Sequence, residues 1–429
     1  MISILNWIDN NIKFTVEGKY YPGEFALEID KPFSERMKYS SFTAEEMATF
    51  THEYIHYLQD ISTIQGVRSF QNKEKLFQLY FAIAQRQEKV RIPINLETCG
   101  IDNVFAQQEL ISIYEGNYLE KKIHHINKIV IENEEDLVNE LKEYSDYSGK
   151  EIPVVLIYYN DEENPIIFGT NYIRESMAYL VEKNCFGAEE RINEFPYNAC
   201  EMVCRELYPD FLKTPENIVA LCELALMYEN SGLQFYCTLK QLKQKNIDFS
   251  NLSDLIQYLD TIMYENVNNL EMINKHINES IDFMFPTNIS YMQMSNTYIK
   301  TMFEAGYKWR KENHFFITGI MKDSMPLNRI KLWMDLFPLP RFLDEITKEF
   351  YDSMEGLSII QVPLAILRFF TNPKDGCPLV EYCRHSDKNN YDKQICESTP
   401  WQQCNKKELC PLALYFTIYG LDKKEFEIV

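Results

Sequence analysis

The sequence has no apolar run approaching the ~20 residues that a membrane-spanning helix requires, and no long tract of lysine or arginine. The first absence argues against a membrane partner. The second, with a net charge of −21, argues against nucleic acid, because the molecule as a whole repels phosphate backbones. Residues 1–20 lack a basic leader followed by an apolar segment and a small-residue cleavage site, so no export signal is read and the expected compartment is the cytoplasm. In that setting the eleven cysteines, an odd number, read as reduced thiols or metal ligands and not as a disulfide framework. Internal repeats, low-complexity tracts and flexible linkers are also missing.

What is present is ample material for a core, with 45% hydrophobic and 14% aromatic residues in a chain of 429, a length that favours two or three domains. Ile12, Phe14 and Val16, then Phe25, Leu27 and Ile29 after Pro22-Gly23, alternate as an antiparallel hairpin would. From Thr43 the period changes. Met47, Phe50, Tyr54, Leu58 and Ile61 mark one face of a helix from Ala44 to Gln65, with Thr43 and Glu46 as a capping box and Gly66 as the stop. A second helix is expected over 70–90, strands over 121–132 and 153–159 that return to the sheet of the first hairpin, and a helix from Asn171 to Cys185. Beyond Phe195 the pattern turns helical, over 197–208, 217–244, 252–278, 290–311 and 341–371. The class is therefore α+β, with three parts: 1–195, a helical domain over 196–372, and a cysteine-rich segment over 373–429.

Within the capped helix lies His52-Glu53-Tyr54-Ile55-His56. Four residues of helix bring the two imidazoles about one turn apart on one face, so both can bind one ion. Zinc suits neutral imidazole and in catalytic sites keeps a position for water, whose pKa it lowers towards ~7. Glu53, offset around the helix, is then placed to act as general base without coordinating. His52 and His56 also fall off the Met47, Phe50, Tyr54, Leu58 stripe, where packing histidines would more often lie.

A third ligand narrows the class. A metzincin would need glycine three residues and histidine six residues after His56, where this chain has Gln59 and Ser62. A glutamate on a second helix is the other common source, and Glu175 lies off the Ile173, Met177, Leu180 stripe, with Ala178 one turn on leaving room for close approach. On these two motifs the first two hundred residues resemble the gluzincin type of zinc metallopeptidase. The resemblance implies a zincin-like domain with a small, mostly antiparallel sheet, a catalytic zinc on His52, His56 and Glu175, Glu53 as base, and a peptide or protein substrate. The thermolysin-like branch has an acid four residues after its ligand glutamate, where this chain has Tyr179; Asp60 or Glu182 is left to orient a histidine. Tyr172, Tyr179, Tyr197 and Tyr228 are candidates for stabilising the oxyanion.

Cys377, Cys383, Cys396, Cys404 and Cys410 fall within 34 residues. Such crowding suggests a second, structural metal site on Cys383, Cys396, Cys404 and Cys410, with Cys377 or His385 as an alternative ligand, holding zinc or an iron–sulfur cluster. The competing reading of these cysteines is buried small hydrophobes, which also fits Cys200 and Cys204. Two other functions compete with a peptidase. One is a helical interaction protein with a structural metal; the other is a di-iron protein, which needs a second Glu-x-x-His that the chain does not contain.

Overall fold

A computed structural model describes residues 18–29, 43–96, 102–144, 149, 151–187, 194–245, 251–344, 350–351, 360–372, 376–380, 383–384 and 391–429. Strands β1 (Gly18–Tyr21) and β2 (Ala26–Ile29) form the expected hairpin, turned through Gly23 at φ +79°. Ile12, Phe14 and Val16 lie outside the described residues. Helix α1 (Ala44–Ser62) starts at the predicted capping box: the Glu46 N–H donates to Thr43 Oγ1 at 3.2 Å and the Thr43 N–H to Glu46 Oε2 at 2.7 Å. It ends three residues early. Thr63 turns extended and caps the next helix, α2 (Ile64–Arg86), by accepting from the Gly66 N–H at 3.1 Å. Gly66 is thus not a stop. It sits in the first turn of α2 because a Cβ there would lie 2.2 Å from the Asp60 carbonyl oxygen.

The chain continues through β3 (Lys89–Ile92), α3 (Asp102–Glu115), β4 (Lys121–Lys122), β5 (Ile126–Asn133), α4 (Glu135–Tyr144), β6 (Pro153–Tyr159), β7 (Ile166–Ile167), α5 (Thr170–Phe186) and β8 (Glu194–Phe195). The second half is mainly helical, with α6 (Ala199–Leu207), α7 (Pro215–Ala225), α8 (Ser231–Lys245), α9 (Leu252–Met284), α10 (Ser290–Glu312) and α11 (Pro326–Leu336). It closes with β9 (Arg341–Asp344), β10 (Phe350–Tyr351), α12 (Val362–Thr371), α13 (Lys393–Ser398), α14 (Pro411–Ile418) and β11 (Glu425–Ile428). The fold is mixed α and β, mostly helical with small sheets, which agrees with α+β. Among the described residues no helix is long and apolar enough to cross a membrane.

Several elements depart from the periodic expectation. The 217–244 stretch is two helices, because the Asn230 side chain accepts from the Leu233 N–H at 3.1 Å and starts α8 afresh. The 341–371 stretch opens as strand β9. Its Arg341 N–H donates to Phe25 O at 2.8 Å, and β9 pairs in parallel with β2. The first hairpin therefore finds its sheet partners in β9 and β10, giving the order β1-β2-β9-β10. Strands β5 and β6 do not join it; they pair with each other, and β6 pairs on its other side with β7, in a separate antiparallel sheet. Helices α3 and α4 were not expected, and Ala106, Leu137, Val138, Leu141 and Ile152 make a small second core between them. The main core is continuous from Tyr20 to Phe426.

One fully buried ion pair ties the end of α1 to the helical half. Arg310 of α10 pairs with Glu223 of α7, and its guanidinium also donates to Ser62 O at 3.1 Å, Ser62 Oγ at 3.1 Å and His314 O at 2.7 Å. Glu223 in turn accepts from the backbone N–H groups of Ile317 (3.1 Å) and Thr318 (2.8 Å) and from the Thr318 hydroxyl at 2.6 Å. A pair this well partnered is costly to break from one side only, since the remaining charge is left buried. Arg310→Ala is expected to lower the unfolding free energy by about 3–5 kcal/mol in urea melts. The Arg310→Met, Glu223→Leu double variant should lose less than the sum of the two single changes; strict additivity would contradict the coupling.

Candidate metal centre

Helix α1 is buried all round from Met47 to Ser62, so the off-stripe histidines do not look out to solvent as an amphipathic surface helix would have them. They look onto α5, the helix that packs across α1. His52 Nε2 lies 3.2 Å from His56 Nε2 and 3.3 Å from Glu175 Oε2, and His56 Nε2 is 3.4 Å from Glu175 Oε1. Among the described residues, these three form the one group of three or more His, Cys, Asp or Glu ligand atoms that all lie within 4.8 Å of one another. A tetrahedral ion bound at ~2.0–2.1 Å needs its ligand atoms ~3.3–3.4 Å apart. The spacing fits a metal ion.

The outer nitrogens are held as such a centre requires. Glu182, two turns along α5 from Glu175, accepts from His52 Nδ1 at 2.9 Å, and Gln59 Oε1 accepts from His56 Nδ1 at 2.9 Å. With both Nδ1 atoms facing acceptors, both Nε2 atoms are the ones turned to the shared point, and both carry a lone pair there once His52 gives up its extra proton to a metal ion. Of the two acids offered by the sequence, Glu182 thus orients His52, while Asp60 acts one step further out. Asp60 pairs with Arg174 at 2.7 Å and accepts from the Tyr20 hydroxyl at 2.8 Å. Arg174 then reaches Gln59 Oε1 at 3.3 Å and His56 O at 3.4 Å, and the Tyr20 ring stacks 6.4 Å from the His56 ring. Gln59, Arg174 and Tyr20 escaped the sequence reading. Only Gln59, one turn along from Ile55 and three residues after His56, carried a helical-spacing signal.

The charges follow from burial and neighbours. Burial alone would raise the Glu175 carboxyl, but His56 and His52 outweigh it and hold the group well below the usual carboxylate range. Burial alone would lower His52, but its bonds to Glu175 and Glu182 raise it to about 10. Glu53, 3% exposed, is pushed up by burial against the opposing fields of His52 and His56. A carboxylate whose proton affinity is raised in this way is suited to take up a proton. Gly18 of β1 sits over it, where a Cβ would lie 3.2 Å from Glu53 Cγ and 2.6 Å from Thr49 Cγ2.

Of the candidate tyrosines, Tyr197 is beside the centre, with its ring edge-on to His52 at 6.1 Å and 5.9 Å from Tyr179. Tyr172 packs its ring on Phe168 and Phe195. Tyr118, which no periodicity marked, is close enough for burial, then Glu175 and Tyr197, to push its phenol well up. In the tail, Cys377, Cys383, Cys396 and Cys410 are buried and Cys404 is half-buried; His385 and Cys99 lie outside the described residues. Cys200 and Cys222 meet at 3.7 Å in the core with Cys204, as packing residues would. Comparison with protein-family models, curated proteins and solved structures finds no match.

Two outcomes are expected of this centre. Because His52 is protonated up to about pH 10 in the metal-free site, metal uptake near pH 7 should release about one proton and tighten as pH rises. Calorimetric titration in two buffers of different ionisation enthalpy reads that proton directly. Glu182→Gln should weaken metal binding ~10–100-fold and Glu175→Ala more than that; unchanged affinity in Glu175→Ala would refute the ligand set.

Proposed function

We propose that the chain is a zinc-dependent peptidase in which His52, His56 and Glu175 hold the ion and Glu53 is the general base. The observation that carries the reading is the 3.2–3.4 Å triangle of His52 Nε2, His56 Nε2 and the Glu175 carboxylate, with Glu53 one residue along from a ligand. Two imidazoles and one carboxylate are a donor set typical of catalytic zinc, which leaves a position open. Zinc, when bound, would acidify a water and polarise the scissile carbonyl.

The rest of the chemistry belongs to the chain. Glu53 takes the proton from the attacking water and passes it to the leaving amine, a shuttle made easier by the raised proton affinity of its buried carboxyl. Glu182 and Gln59 keep the imidazoles in the ligating tautomer through the cycle. Tyr197, whose ring lies 6.1 Å from that of His52, is the candidate to donate a hydrogen bond to the oxyanion that develops on the carbonyl.

A peptide is favoured over other hydrolysable substrates by strand β1. It packs on α1 beside Glu53 and, among the described residues, pairs on one side only, with β2. An extended chain adding to that edge would gain main-chain hydrogen bonds whatever its sequence and would lie across the glutamate. This arrangement, an edge strand beside an HExxH helix with a glutamate-bearing helix behind, is what a zincin-like domain would present.

Glu53→Gln is expected to keep the zinc and lose ~10²–10⁴-fold in hydrolysis of a mixed peptide library followed by mass spectrometry. Full activity in that variant would sink the mechanism. Failure of the zinc-loaded wild type to cleave any peptide in the library would sink the substrate class.

A further inference from the structure

Helices α2 and α9 pack side by side and leave between them a groove of about 860 Å³, bordered by the turn that joins α7 to α8. It shares no residue with the His52 centre. The two helices run in the same direction, since Glu74 meets Ser280 and the Phe77 ring lies 6.1 Å from that of Phe283. The groove is lined from Ile64 to Gln78 along α2 and from Asn266 to Ser280 along α9, a length of about 20 Å at ~1.5 Å per residue. Its volume falls among those of small-molecule sites, and its length suits a linear ligand.

The polar groups left over along this groove are mainly acceptors. Asn266, 6% exposed, donates its side-chain N–H to Ile262 O at 2.9 Å, which leaves its side-chain oxygen without a protein partner. Gln78 likewise donates to Glu74 and keeps its own oxygen free. Glu74 is 3% exposed, takes hydrogen bonds from Gln78 and Ser280, and has no lysine, arginine or histidine within ion-pair distance. A buried carboxylate without a cation is costly, and burial accordingly pushes this one up to about 7.

The cations of the wall do not relieve it. Arg68 is engaged by Glu229 at 3.3 Å and by Gln71 Oε1 at 3.1 Å, and Lys75 is exposed on the neighbouring position. Between the acceptor-bearing ends, Met272 and Ile273 present apolar surface, and Met272 is 56% exposed. A single metal ion does not match this wall, because among the described residues no three ligand groups converge here. An extended peptide would bring a carbonyl oxygen for every N–H, whereas the neutral amides with N–H groups to give are Gln71 and Asn269. Separated ammonium groups joined by methylenes match both the ends and the middle, and a molecule of net charge −21 attracts them from a distance.

We propose that the groove between α2 and α9 binds an extended aliphatic polyamine. One ammonium group lies on the Glu74 carboxylate and the Gln78 oxygen, another on the Asn266 oxygen and Glu229, and the methylenes run along Met272 and Ile273. The site is independent of the chemistry at His52 and Glu53.

The test is calorimetric titration of the full chain with spermine at physiological ionic strength, with magnesium, butylamine and a lysine-containing hexapeptide as comparisons. Saturable one-to-one binding is expected, with the three comparison ligands each binding at least ~10-fold more weakly. Glu74→Gln should weaken spermine ~10–100-fold, as loss of a charged hydrogen-bond partner does. Met272→Lys, a change at an exposed position, should weaken it by like charge, while Glu408→Gln, an exposed acid outside the groove, should leave it unchanged. If Glu74→Gln does not fold, Met272→Lys decides. Binding of magnesium or the hexapeptide as tight as that of spermine would overturn the assignment, as would wild-type affinity in Met272→Lys or in folded Glu74→Gln, or no saturable binding at all.

Discussion

Placing His52, His56, Gln59 and Asp60 on consecutive turns of a helix with no solvent face strips each group of water, at a cost of several kcal/mol for a charged one left alone. Helix α5 answers that constraint almost group by group. Glu182 takes His52, Arg174 takes Asp60 and leans on Gln59, and Glu175 lies between the two imidazoles. The α1–α5 interface is therefore held together by polar partners that have no alternative in the interior. The same partners fix the imidazoles in the tautomer and orientation that an ion needs. Packing and the geometry of the His52, His56, Glu175 group have one cause here, because a rotamer change at either histidine would strand a buried polar group as well as break that geometry.

The remainder of the architecture serves to keep these two helices in register. Arg310 occupies the last carbonyl of α1 and its neighbouring hydroxyl, and α10 and α7 meet around it. At the other end the capping box fixes where α1 begins. Between the two anchors, β1 passes α1 at Gly18, where an added Cβ would lie 2.6 Å from Thr49 Cγ2 and 3.2 Å from Glu53 Cγ.

Much of the centre was legible because its information is local. Helical spacing places His52 and His56 one turn apart, Thr43 and Glu46 announce the helix start, and the Ile173, Met177, Leu180 stripe leaves Glu175 on another face. What stayed hidden depends on contacts between distant segments. Nothing in the alternation of 341–344 says that Arg341 will hydrogen-bond to Phe25, and the apolar content of that stretch fits a helix as well as a strand. The roles of Gln59 and Tyr20 arise only once Arg174 and Asp60 face each other across the interface, 114 positions apart by numbering. Likewise the crowding of cysteines was visible in the sequence, but that Cys404 is half-buried while the other four are buried follows only from the packing of the tail.

The parallel pairing of β2 with β9 bears on how the molecule is made. On a ribosome the chain emerges at ~5–20 residues per second, so the 169 positions from Glu175 to Asp344 take on the order of ten to thirty seconds. Throughout that interval His52, His56 and Glu175 already exist, yet the sheet beside α1 lacks its third strand, and for most of it the end of α1 lacks Arg310. The last-made partners of the hairpin and of α1 are thus added to a pair of helices whose residues have all been synthesised already.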